Sequence, residues 1–300
     1  MDGIKKRRSV KKVVGIIKSK DGLKKGGEKI RLFLCALKKF DDDNGFFLSS
    51  GITFNLLIGL IPLSLLLLAG LATYLYSDQA VFSHLSNHME DMLPSLDPTI
   101  TNNLLRIISD RKIVGILGIG GLIWTATCVF SSIRTALNIV FQVEKSQGIL
   151  KGMAIDLFII FLAGLFHLAS MGLTSVVTYL HGYHFSLFLS IGPIIRFFLK
   201  YVIPFFFTFW MFFLIYKIIP NRKIQFRSAL EAALFTSLLW EVTKQLFGWY
   251  VLRLGNFSMV YGSMSTLIIF VLWVYYSSAI LILGGEFVFL LEKKRKSLHG

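Results

Sequence analysis

Long, nearly uninterrupted runs of apolar residues, separated by short polar segments, organise this chain. A helix needs about twenty mostly apolar residues to cross the roughly 30 Å hydrocarbon core of a bilayer. Six stretches meet that requirement, and they cover residues 46–76, 113–141, 153–179, 194–219, 228–252 and 262–291. The pattern therefore predicts an all-α, polytopic membrane protein with six transmembrane helices.

The polar segments divide the chain into three predicted parts. Residues 1–45 form a basic N-terminal segment, residues 46–291 form the membrane domain, and residues 292–300 form a short basic tail. The longest predicted outer loop, residues 77–112, lies between the first and second spans. The fifth span is the least hydrophobic, and it opens on Ser228-Ala-Leu-Glu231, a sequence typical of a capping box at a helix start.

Composition and charge agree with a membrane body that carries a basic segment. Hydrophobic residues make up 54% of the chain and charged residues 16%, outside the range typical of soluble globular proteins. The net charge is +15, but fourteen of the 32 Lys and Arg residues precede residue 40. This concentration favours contact with anionic lipid headgroups, at about 1 kcal/mol for each cation near the surface, over specific nucleic-acid binding.

Basic and apolar residues alternate between residues 27 and 40, which predicts an amphipathic helix on the inner membrane surface. A merely solvated basic segment is the alternative. Positive residues accumulate in cytoplasmic loops of membrane proteins. Placing the N-terminus inside puts 24 of the 32 Lys and Arg residues on the cytoplasmic side, and an even number of spans then puts the C-terminus inside as well.

Polar side chains within the spans are the candidate functional groups, because each charge costs about 2.5–3.5 kcal/mol at the bilayer centre. The candidates for substrate binding are Asn55, Arg134, Asn138, Glu241, Lys244 and Glu286. Glu241 and Lys244 lie near the middle of the fifth span, three residues apart, as a charge-paired couple. The other four fall in the cytoplasmic half. Arg134 could instead extend to the inner headgroups, and the couple could be a purely structural ion pair.

Cysteine and histidine spacing indicates neither a metal site nor a cofactor. Cys35 and Cys128 are far apart in sequence and predict neither a disulfide framework nor a zinc site. His84 and His88 have the spacing of two metal ligands, but no third ligand is evident, and their place in the predicted outer loop favours a surface helix instead. We expect no metal, no cofactor and no catalytic constellation, and the chain has no nucleotide-binding loop.

Four segments resemble the YihY/BrkB family of bacterial inner-membrane proteins, once labelled ribonuclease BN. They are GITFNLLIGLIP at 51–62, IWTATCVFSSIRTALNIVF at 123–141, YKIIPNRKIQFRSALEAALFTSLLWE at 216–241 and VYGSMSTLIIFVLWVYYSSAILILGGE at 260–286. The resemblance extends from about residue 47 to 290 and implies six spans in the inner membrane. The chain departs from it at Thr53, Phe54 and Asn55, where the family has a more Ala- and Tyr-rich motif.

Three functions follow as hypotheses. A polar recess toward the inner leaflet, with Arg134 binding a phosphate, would suit the handling or transport of phospholipid. The resemblance also implies a link to phospholipid transport between envelope membranes, and hence an envelope lipid-transport protein as partner. A small-solute or ion carrier or channel is the alternative, although no inverted repeat is detectable. A membrane-bound ribonuclease would need clustered carboxylates or histidines, which the cytoplasmic segments do not supply.

Overall fold

The computed structural model describes residues 25–77, 110–143, 152, 158, 202–253 and 264–299. The described residues form α-helices without strands. The long helices are α1 (Lys25–Asp42), α2 (Gly45–Ser77), α3 (Arg111–Val140), α4 (Ile203–Ile218), α5 (Phe226–Arg253) and α6 (Met264–His299). The prediction of an all-α chain is confirmed for this part of the sequence.

Three of the described helices are long and apolar enough to cross a membrane, namely 45–73 in α2, 112–140 in α3 and 264–297 in α6. They coincide with the first, second and sixth predicted spans. Helix α4 is apolar but has 16 residues and covers the second part of the fourth span. Helix α5 has 28 residues, about 42 Å at 1.5 Å per residue, and coincides with the fifth.

The third predicted span, residues 153–179, lies outside the described residues apart from Phe158. Most of the predicted outer loop, residues 78–109, lies outside them as well, and so do His84 and His88. The three long apolar helices are consistent with a multi-pass membrane protein, whereas the number of six spans and the orientation stay predictions.

The chain divides into two compact units, one formed by residues 54–129 and the other by residues 1–53 and 130–300. In the first unit, α2 and α3 run antiparallel at close range. A Cβ on Gly118 would lie 3.1 Å from the backbone nitrogen of Leu66, and one on Gly121 would lie 2.9 Å from Cβ of Pro62. These glycines let two backbones approach, as small residues do in membrane helix pairs.

In the second unit, α6 is the central helix and packs against α1, α4 and α5. Gly284 is the tightest point, because a Cβ there would collide with the hydroxyls of Tyr216 and Thr236. The Tyr216 hydroxyl is 2.8 Å from the Leu281 carbonyl oxygen and 3.2 Å from Thr236 Oγ1. On Gly285, a Cβ would lie 2.7 Å from Leu137 Cδ2, which brings α3 against the same turn of α6.

Aromatic rings fill the space between these helices. Phe235 of α5 stacks on Phe287 of α6 with a centroid separation of 4.4 Å. Phe33 of α1 contacts Phe235 at 5.5 Å, and Trp240 contacts Trp273 at 5.2 Å. Ring pairs of this kind contribute about 0.5–1.5 kcal/mol beyond the area they bury. These contacts therefore stabilise the orientation of α6 about its own axis relative to α5.

A sharp corner joins α1 to α2 and places the end of α1 against the unit's interior. Asn44 has a φ of 55°, the left-handed conformation that Asn tolerates at the end of a helix. Its amide nitrogen donates to the Asp41 carbonyl at 3.0 Å. At Gly45, a Cβ would collide with the ring of Phe40, so the close approach of the two helices requires glycine there.

The amphipathic helix predicted over residues 27–40 is present as α1. Its buried face contains Leu32, Ala36 and Lys39, while Ile30 and Leu34 are exposed. Lys39 is therefore not one of the solvated basic residues of a surface helix. It occupies a position on the apolar face and points into the protein.

Two further expectations change at the ends of the helices. The predicted tail, residues 292–300, continues α6 as far as His299. The predicted capping box is wrong, because α5 begins at Phe226 and the buried Ser228 hydroxyl has no hydrogen-bond partner among the described residues. Glu231 instead forms an ion pair of 2.5 Å with Arg295 of α6.

Candidate functional site

A cluster of three buried charges joins α1 to α6. The Lys39 ammonium donates to Asp43 Oδ2 at 2.7 Å, to Glu286 Oε2 at 2.5 Å and to the Val140 carbonyl oxygen at 2.9 Å. The exposed fraction of the Lys39 side chain is 5%, and those of Asp43 and Glu286 are 3% and 0%. Buried charges are rare in proteins unless they are paired, which makes this cluster the leading candidate site.

Each member of the cluster is held in place by local structure. Lys39 lies on the last turn of α1, and Asp43 follows it by one turn at the corner formed by Asn44. Val140 is the last residue of α3, so its carbonyl oxygen has no partner within its own helix. Glu286 directly follows the two glycines at which α6 packs most tightly.

The Phe289 ring forms one wall of the cluster, with the Lys39 ammonium 4.3 Å from its centroid. Such a cation–π contact stabilises an ammonium that has left bulk water. The remaining carboxylate oxygen of Glu286, Oε1, is buried and accepts no hydrogen bond from any described residue. The site thus combines a fully engaged cation with a carboxyl group that is only half satisfied.

Arg134 lies at the same end of the unit but donates to backbone carbonyl oxygens instead of to the buried carboxyl groups. Its Nε donates to the Ile219 carbonyl oxygen at 3.4 Å, and Nη2 donates to the Gly152 carbonyl oxygen at 3.0 Å. Ile219 ends α4, where a cation is favoured by the helix dipole. The guanidinium therefore joins three chain segments, which is a structural role that the sequence did not reveal.

Asn138 accepts a hydrogen bond of 2.9 Å from the backbone nitrogen of Asn221, in the turn between α4 and α5. In that turn, Arg222 donates to the Phe141 carbonyl oxygen at 3.2 Å. Both contacts tie the turn to the end of α3. The side-chain nitrogen of Asn221 is buried without a hydrogen-bond partner among the described residues.

These contacts bring five helices together at one end of the unit, which we call the polar end. Its members are Lys39, Asp43, Arg134, Asn138, Asn221, Arg222, Glu286, Glu292 and the Glu231–Arg295 pair. Glu292 contributes by accepting a hydrogen bond of 2.8 Å from the Gln225 backbone nitrogen. The structure thus assembles three of the predicted site residues, Arg134, Asn138 and Glu286, at the polar end.

The other predicted site residues are placed elsewhere. Asn55 belongs to the unit of residues 54–129, on α2, and is half-buried. Glu241 and Lys244 form an ion pair of 2.6 Å within α5, with exposed fractions of 35% and 44%. Gln245 donates to the same carboxylate at 3.2 Å. Glu241 lies ten residues beyond Glu231, about 15 Å along the helix axis, so the couple is not part of the polar end.

Sequence reasoning missed Lys39 and Asp43, although a signal was present. Lys39 follows Leu32, Cys35 and Ala36 at the spacing of one helix face, so it interrupts the apolar face rather than extending the basic one. A lysine in that position must find a partner or leave the protein interior. Its partner Glu286 is 247 residues away, which the sequence alone does not show.

The described residues contain no group of three His, Cys, Asp or Glu side chains that could hold a metal ion. Cys35, one turn before Lys39, is a buried free thiol. Its pKa is raised above the ordinary value by burial, which outweighs the opposing effects of the nearby Arg31 and Lys38 charges. The group is therefore a neutral thiol at physiological pH.

A family model described as Virulence factor BrkB matches residues 36–299. A UPF0761 membrane protein of Glaesserella parasuis serovar 5 (strain SH0165) is 29% identical over 204 residues, or 68% of this chain and 71% of that protein. One of Haemophilus influenzae (strain 86-028NP) is 25% identical over 261 residues, covering 85% and 93%. One of Chlorobium phaeobacteroides (strain DSM 266 / SMG 266 / 2430) is 27% identical over 270 residues, covering 87% and 58%. No solved structure matches the chain significantly.

Proposed function

The chain belongs to the Virulence factor BrkB family of membrane proteins, and from that premise we propose that it transports or handles a phospholipid or another anionic amphipathic substrate. The observation that carries the proposal is the polar end, where basic side chains surround a buried ionic cluster within a helical membrane domain. A headgroup would be bound there while its acyl chains stay in contact with the apolar helix faces.

Basic side chains that remain accessible at the polar end support this proposal. Lys223 and Arg227 are exposed in and after the α4–α5 turn, and Lys296 is exposed on α6. Their neighbours Arg222 and Arg295 already bind protein groups. Accessible cations at the membrane surface attract anionic headgroups, with about 1 kcal/mol for each.

An exposed apolar residue lies beside one of these cations, because Phe226 directly precedes Arg227 and has an exposed fraction of 56%. A surface that alternates cations with accessible apolar side chains suits a ligand with a charged head and an apolar tail. This is the chemistry of a phospholipid rather than of a fully polar solute.

We propose further that the polar end faces the cytoplasm of a bacterial cell whose inner membrane holds the protein, with both termini inside. The positive-inside rule supports this orientation, because Lys217, Arg222, Lys223 and Arg227 cluster in and around one short turn. The basic N-terminal segment would then bind anionic lipids of the inner leaflet. We propose an envelope lipid-transport protein as the partner of this chain.

A small-solute or ion carrier is the second candidate, and one observation favours it. Carriers place paired ionisable groups inside the membrane domain, where substrate or coupling ions bind. The Lys39–Asp43–Glu286 cluster has that character, whereas the half-exposed Glu241–Lys244 pair does not. The two candidates differ in whether lipid itself moves.

Reconstitution into proteoliposomes tests the proposal. We expect the wild-type chain to accelerate movement of fluorescent phosphatidylglycerol between leaflets, with a smaller effect on phosphatidylcholine, relative to empty vesicles. The double variant Lys223→Gln/Arg227→Gln should reduce the phosphatidylglycerol rate several-fold. Both side chains are exposed and form no hydrogen bond or ion pair with the described residues, so folding should be preserved.

The matched control is Lys244→Gln, which removes one exposed cation away from the polar end. It should leave the lipid rates unchanged. Equal rates in wild-type and empty vesicles would exclude autonomous lipid movement. Equal rates in wild type and the double variant would remove the polar end from headgroup recognition.

A further inference from the structure

Helix α1 has two apolar faces on opposite sides. Leu32 and Ala36 are buried on the side that packs against the protein, whereas Ile30, Leu34 and Leu37 have exposed fractions of 64%, 58% and 40%. Residues four and three positions apart lie on one side of a helix, so these three form a single stripe, which we call the outer stripe. A helix that only docks on its own protein usually has a polar outer face, and the outer stripe therefore needs a different explanation.

Two contacts hold α1 against the membrane domain. The Lys39 ammonium is 2.5 Å from Glu286 Oε2, and the ring of Phe33 is 5.5 Å from that of Phe235. Glu286 lies within the segment 264–297 of α6, which is long and apolar enough to cross a membrane. Helix α1 is thus attached near both ends of its buried face, and the outer stripe faces away from α6.

The end of α1 lies where the chain enters the bilayer. Helix α1 ends at Asp42, and the candidate span 45–73 begins directly after the corner formed by Asn44. Where that span crosses the membrane, the end of α1 must lie at the membrane surface. Leu37 is little more than one turn before that end, so the outer stripe is within reach of lipid.

Cations accompany the outer stripe. Lys38 is exposed and follows Leu37, and the half-buried Arg31 follows Ile30, so both lie on the same flank of the stripe. Fourteen of the 32 Lys and Arg residues of the chain precede residue 40. The exposed Asp41 is the acidic residue at the end of the stripe, beside the corner. Apolar side chains flanked by cations are typical of helices that lie in an anionic membrane surface.

We propose that the outer stripe, Ile30, Leu34 and Leu37, is a lipid-binding face that inserts among the acyl chains of anionic phospholipids at the polar end. Helix α1 then lies between the bilayer and α6, with one apolar face in each. Helices of this kind insert about 5–10 Å into the boundary between headgroups and acyl chains. The assignment does not depend on which substrate the protein carries.

The size of the outer stripe favours lipid over a second protein. The stripe extends over seven residue steps, or about 11 Å at 1.5 Å per residue. A stable protein–protein interface buries about 800 Å² on each partner, and three side chains supply only a small part of that area. Insertion into a bilayer needs no such area, because lipid surrounds each side chain separately.

Photo-crosslinking of the full-length protein in nanodiscs tests the proposal without altering either cysteine. The photoreactive residue p-benzoylphenylalanine replaces Leu34, which is exposed, so folding should be preserved. The nanodiscs contain phosphatidylglycerol and phosphatidylcholine in equal amounts. After illumination, mass spectrometry should detect protein with one covalently attached phospholipid, and phosphatidylglycerol should exceed its half share among the adducts. The same probe at Ile30 or Leu37 should behave alike.

The matched control carries the probe in place of Lys296, an exposed residue near the end of α6. It should yield several-fold less lipid adduct, because this position has no apolar stripe around it. Equal yields at Leu34 and Lys296 would overturn the proposal. So would an adduct of Leu34 with another segment of the chain or with a second copy, since the stripe would then be covered by protein. Equal shares of the two lipids would overturn the assignment to anionic phospholipid.

Discussion

Two lysine–glutamate pairs in this protein have the same chemistry and opposite settings. Lys39 and Glu286 meet at 2.5 Å from positions 247 residues apart, and their side chains have exposed fractions of 5% and 0%. Lys244 and Glu241 meet at 2.6 Å within a single helix, with exposed fractions of 44% and 35%. The comparison shows that distance between charges says little about their importance, because burial sets the cost of losing a partner.

The largest expected effect comes from breaking the buried pair. Lys39→Met should lower the free energy of unfolding by about 3–5 kcal/mol, since it leaves two carboxyl groups buried without their cation. The loss should shrink as the pH falls, because protonation removes the negative charges. Denaturant titration in detergent, followed by the fluorescence of the five tryptophans, measures it. A loss no greater at high pH than at low pH would contradict the assignment of charge.

Removing both partners should cost less than the sum of the two single losses. In Lys39→Met/Glu286→Gln no unpaired Glu286 charge remains, so the double variant should recover on the order of 0.5–3 kcal/mol of the loss predicted from adding the single variants. A double-mutant cycle by the same denaturant titration gives the coupling energy. Strict additivity would mean that the two side chains do not interact in the folded protein.

The close packing beside Glu286 can be disturbed without touching a charge. Gly284→Ala places a Cβ against the Tyr216 and Thr236 hydroxyls, and it should destabilise the protein by about 1–3 kcal/mol. Gly120→Ala is the control, because a Cβ there would lie more than 4 Å from every described residue beyond its own turn of helix. Thermal unfolding of the two variants compares them. Equal midpoints would show that α6 is not packed closely at Gly284.

The smallest effect is expected for the exposed pair. Lys244→Met should change the free energy of unfolding by less than about 1 kcal/mol, because solvent screens Glu241 once it is alone. Since the same substitution is made at Lys39 and Lys244, the difference between the two variants isolates burial. A loss at Lys244 as large as that at Lys39 would require an unrecognised partner surface on α5.

Much of the architecture follows from the sequence, because bilayer thickness converts hydrophobic runs directly into helices. The runs that begin near residues 46, 113 and 262 correspond to α2, α3 and α6. The family resemblance carried by four motifs is confirmed by the family model over residues 36–299. The sequence also predicted an amphipathic helix before the first span, and α1 is present there.

The substrate-binding role of the candidate residues stays a prediction, and the structure adds contacts that the sequence did not show. Glu241 and Lys244 were selected because a three-residue spacing reveals a pair, yet that pair is half-exposed. Glu286 was selected for its depth, but its partner Lys39 was assigned to a basic surface helix. Arg134 was assigned to phosphate binding, whereas the structure has it donating to the carbonyl oxygens of Ile219 and Gly152. Local spacing identifies local pairs and leaves long-range partners undetermined.

The sequence by itself determined that this protein is helical, lies in a membrane and belongs to its family, because these properties follow from hydrophobic run length and local motifs. The tertiary structure decided which charges are buried together. The Asn44 corner turns α1 back on α6, and the glycines before Glu286 admit α3 and α4 to the same place. A side chain's electrostatic environment depends on residues far away in sequence, so only the packed helices could show that Lys39, Asp43 and Glu286 form one site.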